Sequence, residues 1–518
     1  MSQEPALKAG WLDRVERFGD RLPDPVFIFA WLIVALVLVS VLCAALGVSA
    51  INPVTQEALT AESLLSRENL RQLLTDTAKT FTSFPPLGLV LVVMLGAGVA
   101  ERTGLLPALM RRLVGASPRR LLAPAVMLVG LLSNHASDAG FIVLPPLAGA
   151  AFAAAGRHPV AGIACAYAAV IGAFAGNPTP GQFEALILGL SEPAAKLIDP
   201  TWTANLVGNW AFTATLGTGF LLVGWWLTDH VVEPRLGVWR PIEPAEAPGP
   251  LTFAERSGLR RAGLACLAVT LLWLALALAP GSPLQDDAAA GAQRWTPLFR
   301  SLIAAFFLLF LVSGWAYGAA VGTIRSGADV TRLAAESIAG MAPYIVLAFM
   351  AAHFIAMFTW SNLGAITAIN GAEALRNSGL PIFALLPAVT VLGGVLDLAI
   401  ASASAKWAAL GPVVVPMLML LGVSPEMTTA AYRAGDSSLV IASPMNAYFV
   451  LTLAVARRWV PQFSLGGLIA ATLPFALAFF ALGLTVVTAF AVLELPTGPG
   501  APFAYSPRLS LDGAEARP

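Results

Sequence analysis

Long apolar runs constrain the fold of this 518-residue chain more than any other feature of its sequence. A helix needs about 20 apolar residues to cross the hydrocarbon core of a bilayer. Nine segments have about that length and are apolar throughout most of it, so we predict that each of them crosses a membrane. They are residues 25–48, 86–110, 160–190, 204–228, 262–280, 298–320, 338–358, 427–455 and 465–493.

The composition excludes several other classes of protein. Hydrophobic residues make up 57% of the chain and charged residues only 12%, against about 25% charged in a typical soluble domain. Thirty basic residues are matched by thirty acidic ones without a basic block, so we expect no nucleic-acid partner. The three cysteines, Cys43, Cys165 and Cys266, lie in apolar stretches without metal-like spacing, and we expect no disulfide framework, zinc site or cofactor.

Two further apolar regions, 119–157 and 381–424, are each interrupted near the middle by Ser, Asn, Gly and charged residues. Apolar stretches of about 10 to 14 residues suit re-entrant segments better than full crossings. Each region therefore predicts a helical hairpin with two short arms.

The distribution of basic residues predicts the orientation of these segments. Basic residues accumulate in cytoplasmic loops, so the four that precede the first apolar run place the N-terminus in the cytoplasm. By the same rule the first hairpin enters from the cytoplasmic side and the second from the periplasmic side. The four N-terminal basic residues are Lys8, Arg14, Arg17 and Arg21.

The two hairpin regions also resemble each other. Each has a polar tip, then prolines, then a tyrosine that is 30 residues after Ser137 in the first region (Tyr167) and 28 residues after Ser404 in the second (Tyr432). Two similar units of opposite orientation form an inverted repeat, which is typical of secondary transporters with a site near the membrane midplane. The predicted fold class is an all-α polytopic membrane protein with about nine transmembrane helices and two re-entrant hairpins in an inverted repeat.

This reading divides the chain into three parts. Residues 1–24 form a cytoplasmic N-terminal segment, and residues 25–495 form a single membrane transporter domain. Residues 496–518 are rich in Gly, Pro and Ala, and we predict a mobile periplasmic tail there.

Four polar clusters interrupt the predicted spanning segments, at 133–138, 176–184, 397–407 and 433–446. Non-helical backbone at membrane depth is tolerated only where protein or a water-filled cavity satisfies it, so the clusters predict the transport site. An ionisable residue at a helix centre costs at least about 2.5–3.5 kcal/mol on insertion scales, which makes a function the usual explanation. The ionisable residues in the clusters are Asp138, Glu184, Asp397, Lys406, Arg433 and Asp436.

Individual residue types predict different roles. Arg433 is the candidate for binding an organic anion, because a guanidinium binds a carboxylate bidentately and keeps its charge when buried. Its structural alternative is an ion pair with Asp436, three residues further along the same helix. We predict that Trp407 either stacks on an aromatic substrate or packs against the hairpin arm.

Glu184 and Asp397 have no obvious basic neighbour in the sequence, which favours a coupling role for both. An unpaired carboxylate there would coordinate Na⁺ or exchange a proton. With Asn177 they form a candidate Na⁺ site. The first hairpin tip adds three candidates for ion coupling, Asn134, Ser137 and Asp138.

Residues 402–416 (SASAKWAALGPVVVP), 431–438 (AYRAGDSS) and 133–140 (SNHASDAG) resemble the AbgT family of p-aminobenzoyl-glutamate transporters. The resemblance extends over most of the chain. It implies a bowl-shaped homodimer in the bacterial inner membrane, with its N-terminus inside and its C-terminus outside. Members import p-aminobenzoyl-glutamate, a folate breakdown product, or export sulfonamide antimetabolites, driven by an ion gradient.

The resemblance also implies a set of substrate-site residues, to which we add one residue, Asn446, from its position in a broken segment. Two departures from the family pattern are Glu184, where members usually have Asp, and Asp397, where they usually have Asn. The segment 176–180 (GNPTP) departs as well, so the coupling ion, Na⁺ or H⁺, stays open. The implied substrate residues are Ser404, Trp407, Pro425, Arg433, Asp436 and Pro444.

We therefore predict an ion-gradient-driven transporter of p-aminobenzoyl-glutamate or a related folate-type aromatic anion, and not an enzyme. A proton-driven sulfonamide efflux pump on the same fold and an ion-coupled dicarboxylate carrier are the alternatives. A membrane-embedded hydrolase is disfavoured because the sequence contains no His-Glu-x-x-His run and no Gly-x-Ser-x-Gly elbow. A passive channel is disfavoured by the duplicated hairpins.

Overall fold

The computed structural model describes residues 25–51, 58–115, 117–135, 139–239, 251–287, 294–397, 402–444 and 446–505. The predicted N-terminal segment 1–24 and two candidate ion-coupling residues, Ser137 and Asp138, lie outside these ranges.

The first part of the described chain combines an apolar helix, a small β-hairpin and an amphipathic helix. The two strands pair antiparallel with Ala50 opposite Leu59. The predicted span 86–110 is not one helix, because a turn at Gly104, with φ of +88°, separates two helices that meet there. The elements are α1 (Pro25–Ala45), β1 (Ser49–Ile51), β2 (Ala58–Thr60), α2 (Arg67–Thr82), α3 (Pro85–Arg102) and α4 (Leu105–Gly115).

The next five long helices form the first structural repeat. The predicted hairpin 119–157 consists of two helices, α5 and α6, which pack on each other and on the following helix. The predicted span 160–190 is broken over residues 173–181, where Pro178 and Pro180 cannot donate helical hydrogen bonds. The elements are α5 (Leu122–Leu132), α6 (Ala139–Ala154), α7 (Pro159–Gly172), α8 (Gln182–Ala195) and α9 (Trp210–Leu227), followed by a π-helical turn (Thr228–Val232) and α10 (Glu233–Leu236).

The middle of the chain contains two long antiparallel helices, α11 and α12, of which α12 packs against α3. Two shorter helices, α13 and α15, were not predicted, because their sequences mix polar and apolar residues instead of forming an apolar run. Asp329 caps α13 by accepting hydrogen bonds from the backbone N–H groups of Arg325 and Ser326, each 3.0 Å long. The elements are α11 (Phe253–Leu278), α12 (Thr296–Val321), α13 (Gly327–Gly340), α14 (Ala342–Trp360) and α15 (Leu363–Asn377).

The last five helices repeat the order of the first repeat. The predicted hairpin 381–424 consists of α16 and α17, and the predicted span 427–455 is broken over residues 437–446. A single long helix follows, as in the first repeat. The elements are α16 (Ile382–Leu396), α17 (Ala403–Met419), α18 (Pro425–Asp436), α19 (Ala447–Trp459) and α20 (Leu465–Val492).

By length and composition, seven helical stretches within the described ranges are able to cross a membrane, and each overlaps one of the predicted spans other than 160–190 and 427–455. The total number of crossings and the re-entry of the hairpins remain predictions. The seven stretches are Val26–Ala45, Arg67–Arg102, Trp210–Leu236, Phe253–Leu278, Thr296–Val321, Ala342–Trp360 and Leu465–Val492.

The two repeats pack directly on each other, through α7 and α9 against α20 and through α8 against α17 and α18. The rings of Phe220 and Phe479 stack across this boundary with centroids 4.1 Å apart. Within the first repeat, a Cβ atom on Gly176 would lie 2.6 Å from the backbone nitrogen of Gly217. Small residues allow such close approach between membrane helices, so glycine holds the broken segment against α9.

Residues 496–505, after α20, are hydrogen-bonded to the rest of the protein, and the mobility expected for 496–518 stays a prediction. The Ser424 N–H donates to the Phe503 carbonyl at 2.9 Å, and the Tyr505 N–H donates to the Gly422 carbonyl at 2.8 Å. The Thr497 hydroxyl donates to the Gly208 carbonyl at 2.7 Å. Residues 496–505 therefore fasten the turn between α17 and α18, while 506–518 lie outside the described residues.

Candidate functional site

Helix α18 places charged side chains in the interior of the protein. Ser424 begins the helix, since its hydroxyl accepts the Met427 N–H, and every residue from Pro425 to Asp436 is buried. Arg433 and Asp436 lie in its last turn, next to a break in the α-helix that contains a short 3₁₀ helix, Leu439–Ala442. Each of the two charged residues belongs to a different ionic cluster.

The first cluster pairs Arg433 with Glu184, which follows the break in the first repeat. Arg433 Nη2 lies 2.6 Å from Glu184 Oε1, and the two side chains are 0% and 1% exposed. The guanidinium also donates to the Phe174 carbonyl, from Nε at 3.0 Å and from Nη2 at 2.7 Å. Two predictions are corrected here: Glu184 does have a basic partner, and Arg433 pairs with Glu184 instead of with Asp436.

Glu184 also organises the break between α7 and α8. Its Oε2 atom accepts the Gly181 N–H at 2.6 Å, and its Oε1 atom accepts a hydrogen bond from Asn177 Nδ2 at 3.0 Å. Asn177 Oδ1 and Arg433 Nη1 are buried and have no hydrogen-bond partner in the described part of the chain. The cluster thus retains one unused acceptor and one unused donor beside a carboxylate, which fits the binding of a further ion or polar group.

The second cluster joins three charged side chains of the second repeat. Lys406, in the first turn of α17, contacts Asp397 Oδ1, and its Nζ atom lies 2.7 Å from Asp436 Oδ1. Asp397 has no obvious basic neighbour in the sequence, but the fold places Lys406 against it, so it is not the unpaired carboxylate that we expected. All three side chains are at most 3% exposed, and two carboxylates against one ammonium leave a formal charge of −1.

A hydrogen-bonded aromatic pair borders the second cluster. The Tyr432 hydroxyl lies 2.6 Å from Asp436 Oδ1, and its ring stacks on Trp407 with centroids 4.5 Å apart. The Trp407 indole N–H donates to Ser191 Oγ at 2.9 Å, and that hydroxyl lies 2.8 Å from Thr429 Oγ1. Trp407 is fully buried between the repeats, in contact with Ser191 of α8 and Tyr432 of α18, and its role toward a substrate stays a prediction.

The two hairpin regions, the two broken helices and the Glu184–Arg433 pair between them all lie within the part of the chain that a family model matches. The family model described as the AbgT putative transporter family matches residues 10–505. The chain belongs to this family.

Known AbgT proteins resemble the chain along nearly its whole length. The p-aminobenzoyl-glutamate transport protein of Escherichia coli (strain K12) is 36% identical over 501 residues, which cover 97% of each chain. The crystal structure of the Alcanivorax borkumensis YdaH transporter matches with a TM-score of 0.86 and 39% identity, covering 92% of this chain and 100% of that one. Neisseria gonorrhoeae MtrF, which is described with a class of antimetabolite efflux pumps, matches with a TM-score of 0.85 and 35% identity, covering 95% and 100%. The chain is therefore a multi-pass membrane transporter.

The remaining candidate substrate residues lie at the beginnings of helices and in the second break. Pro425 starts α18, eight residues before Arg433, which is about 12 Å along a helix. Asn446 caps α19, since its Oδ1 atom accepts the Tyr448 N–H at 2.9 Å. Ser404 is half-buried in the first turn of α17, where its hydroxyl is 3.5 Å from that of Ser402. Pro444 is half-buried in the segment 437–446.

The first hairpin tip reaches the break of its own repeat. Asn134 lies in a 3₁₀ turn, Ser133–His135, at the end of α5. His135 Nε2 is 2.8 Å from Thr179 Oγ1, and its ring packs on Phe310 with centroids 5.5 Å apart. The tip therefore contacts both the broken segment and α12.

The candidate Na⁺ ligands do not form one site. Asn177 and Glu184 are hydrogen-bonded, whereas Asp397 belongs to the cluster around Lys406. Within the described ranges, no group of three or more His, Cys, Asp or Glu side chains is placed to hold a metal ion. Sequence reasoning missed Ser191 and Tyr432 as parts of the site, although Tyr432 already marked the internal repeat.

Proposed function

We propose that this AbgT protein is an ion-gradient-driven transporter of p-aminobenzoyl-glutamate or a related aromatic anion. The observation that carries the proposal is the buried Glu184–Arg433 pair, which joins the broken helices of the two repeats. The name of the Escherichia coli relative, which matches over nearly the full length of both chains, supports the substrate.

Arg433 is the proposed anchor for a substrate carboxylate. It is already bonded to Glu184, so a substrate carboxylate must compete with the protein's own carboxylate. The unused Nη1 atom gives the substrate a first contact, and a guanidinium that turns from Glu184 offers the bidentate geometry that carboxylates prefer. Substrate binding and release of Glu184 are thus linked.

This competition supplies a mechanism for coupling. When a cation, Na⁺ or H⁺, binds Glu184, the carboxylate loses its negative charge or shares it, and its hold on Arg433 weakens. Asn177 Oδ1, buried and unused, fits a second oxygen ligand for Na⁺ beside Glu184. The cation then favours substrate binding, and substrate binding favours the cation by the same free energy.

The second cluster has a different proposed role. Asp397, Lys406 and Asp436 fix the hairpin tip of the second repeat to the end of α18. Helix α18 contributes Arg433 to the first cluster and Asp436 to the second. A change of charge at Glu184 is therefore transmitted to the second hairpin through this one helix. We propose alternating access in which the hairpins and broken helices move together against the remaining helices, in a homodimer of the bacterial inner membrane with a cytoplasmic N-terminus and a periplasmic C-terminus.

A proton-driven sulfonamide efflux pump is the second candidate. Its support is the match to MtrF, which is nearly as extensive as the match to the Escherichia coli protein. Both functions use the same site and differ in the direction of net flux and in the substrate.

The test is uptake of radiolabelled p-aminobenzoyl-glutamate into proteoliposomes, with a Na⁺ gradient and a pH gradient imposed separately. We expect saturable uptake under one gradient, loss of uptake in Arg433→Ala, and normal uptake in Arg332→Ala, a matched change of a partly exposed arginine. Sulfonamide flux without p-aminobenzoyl-glutamate uptake would favour the efflux pump. Unchanged uptake in Arg433→Ala would contradict the proposed site.

A further inference from the structure

A large open cavity lies at the end of the protein where α18 begins. Its volume is about 1380 Å³, and its walls come from the loop 199–205, the start of α12, the first turn of α18 and the segment 496–505. We call this cavity the vestibule. Pro425, one of the substrate residues that the family resemblance implies, lines the cavity beside Glu426. Glu426 is seven residues before Arg433, or about 10 Å along α18, so the vestibule lies away from the two ionic clusters.

One wall of the vestibule combines a cation with aromatic rings. Arg300 lines it beside Phe299 and Trp202. The Arg300 guanidinium donates one hydrogen bond, from Nη2 to Thr203 Oγ1 at 2.9 Å, and no carboxylate pairs with it in the described part of the chain. Its other N–H groups are therefore available to an anion.

Another part of the wall contains a buried carboxylate. Glu426 is only 5% exposed and lines the vestibule, yet no described cationic side chain lies within ion-pair distance of it. Its carboxylate is hydrogen-bonded to its own backbone N–H. A carboxylate that is buried without a cation loses much of its hydration, so Glu426 can accept a further hydrogen bond from a donor in the vestibule.

A smaller apolar cavity of about 200 Å³ adjoins the vestibule. It shares Thr203, Ala204, Phe299 and Arg300 with the vestibule and reaches α8 at Ala185 and Leu188. Ala185 directly follows Glu184, so this cavity extends from the vestibule toward the proposed coupling residue.

We propose that the vestibule is a second binding site for the transported molecule, which it holds before or after its passage through the central site. The inference rests on the proposed function. It assigns the vestibule to an aromatic molecule with an arylamine at one end and a carboxylate at the other: Arg300 binds the carboxylate, Glu426 accepts the arylamine N–H, and Phe299 and Trp202 contact the ring.

The charged residues of the wall determine how tightly the vestibule binds its ligand. Asp199 and Asp286 line the vestibule together with Glu426, so three carboxylates face one guanidinium. This excess of negative charge repels a dianion, and we expect weaker binding here than at Arg433. Weak binding is expected of a site that holds the transported molecule only before or after its passage through the central site.

The experiment measures protection of a cysteine in the vestibule wall. The three native cysteines are replaced by alanine, and Ala204→Cys introduces a single thiol at a residue that lines both cavities. The purified protein is labelled with a hydrophilic maleimide, with and without p-aminobenzoyl-glutamate. We expect the ligand to slow labelling at least threefold.

Two sets of variants separate the vestibule from the central site. Protection should persist in Arg433→Ala, or in Arg433→Lys if the alanine variant aggregates, because the vestibule is intact. It should disappear in Arg300→Gln and weaken in Glu426→Gln. Arg294→Gln is the control, since Arg294 is an arginine that precedes the same helix but does not line the vestibule.

Each pattern of results decides between the proposals. Protection that is lost in both Arg433 variants and kept in Arg300→Gln overturns the vestibule site, because the ligand then acts from the central site. Uptake into proteoliposomes without protection also overturns the vestibule site while leaving the proposed function intact. Protection without uptake or efflux overturns the proposed function, and with it the vestibule as a site for a transported molecule, and leaves only binding of p-aminobenzoyl-glutamate there.

Discussion

The guanidinium of Arg433 in the second repeat lies 2.6 Å from the carboxylate of Glu184 in the first. This contact joins two segments that are 249 residues apart in the sequence, and both partners are excluded from solvent. A buried ion pair adds little net stability over apolar packing, but removing one partner leaves an unpaired buried charge. The relative position of the two broken helices therefore depends on the charge of Glu184 and Arg433.

The first prediction concerns this pair. Arg433→Ala and Glu184→Ala should each destabilise the purified protein by about 3–5 kcal/mol, because each leaves the other charge buried alone. The double variant should be less destabilised than the sum of the single variants. Thermal unfolding in detergent, followed by intrinsic tryptophan fluorescence, measures the three changes. Additive losses would mean that the pair does not interact in the membrane protein.

The second prediction concerns the cluster of Asp397, Lys406 and Asp436. Lys406→Met should be more damaging than Asp397→Asn, because it leaves two carboxylates facing each other, whereas Asp397→Asn leaves the Lys406–Asp436 pair intact. Lys196→Met is the control, since Lys196 forms a partly exposed i,i+4 pair with Glu192, and such helix pairs are typically worth about 0.5 kcal/mol. The yield of monodisperse protein and its unfolding temperature rank the variants. Equal loss in Asp397→Asn and Lys406→Met would contradict the prediction.

The third prediction separates the two interpretations of Trp407. Trp407→Phe preserves the stack on Tyr432 and loses only the hydrogen bond to Ser191, so it should cost about 1 kcal/mol and retain transport. Trp407→Ala removes the stack and should abolish uptake. The measurement is uptake at saturating p-aminobenzoyl-glutamate together with thermal unfolding. Full uptake in Trp407→Ala would show that the ring is not needed and would favour a dicarboxylate carrier.

Hydropathy predicts much of the fold because the lengths of apolar segments are set by the bilayer. The two hairpin regions and every predicted span other than 160–190 and 427–455 coincide with apolar helices among the described residues. Helices α13 and α15 were missed because both mix polar and apolar residues. The breaks at 173–181 and 437–446 followed from polar and proline residues, which were clear in the sequence.

The sequence predicted which residues form the candidate site but not which of them form ion pairs with each other. Glu184 and Asp397 looked unpaired because their partners are 249 and 9 residues away, and only the packing of the repeats and the fold of the hairpin tip bring them together. The spacing of Arg433 and Asp436 predicted an intrahelical pair. Each residue instead has a stronger partner on another element, which tertiary structure alone decides.

The last prediction concerns the segment after α20. Three of its backbone and hydroxyl groups bond to the turn before α18 and to Gly208, and it forms one wall of the vestibule. A chain that ends at Leu495 loses these bonds, so α18 and its two ionic clusters lose a restraint at their outer end. We expect a fall in unfolding temperature of at least about 5 °C and faster labelling of Ala204→Cys.

A chain that ends at Tyr505 is the matched control for this truncation, because it keeps every hydrogen bond described for the segment. It should unfold at the temperature of the full-length protein and label at the same rate. If both truncations behave like the full-length chain, the segment covers the turn without stabilising it. If both are equally impaired, residues beyond 505 carry the effect, and the hydrogen bonds of Phe503 and Tyr505 do not explain it.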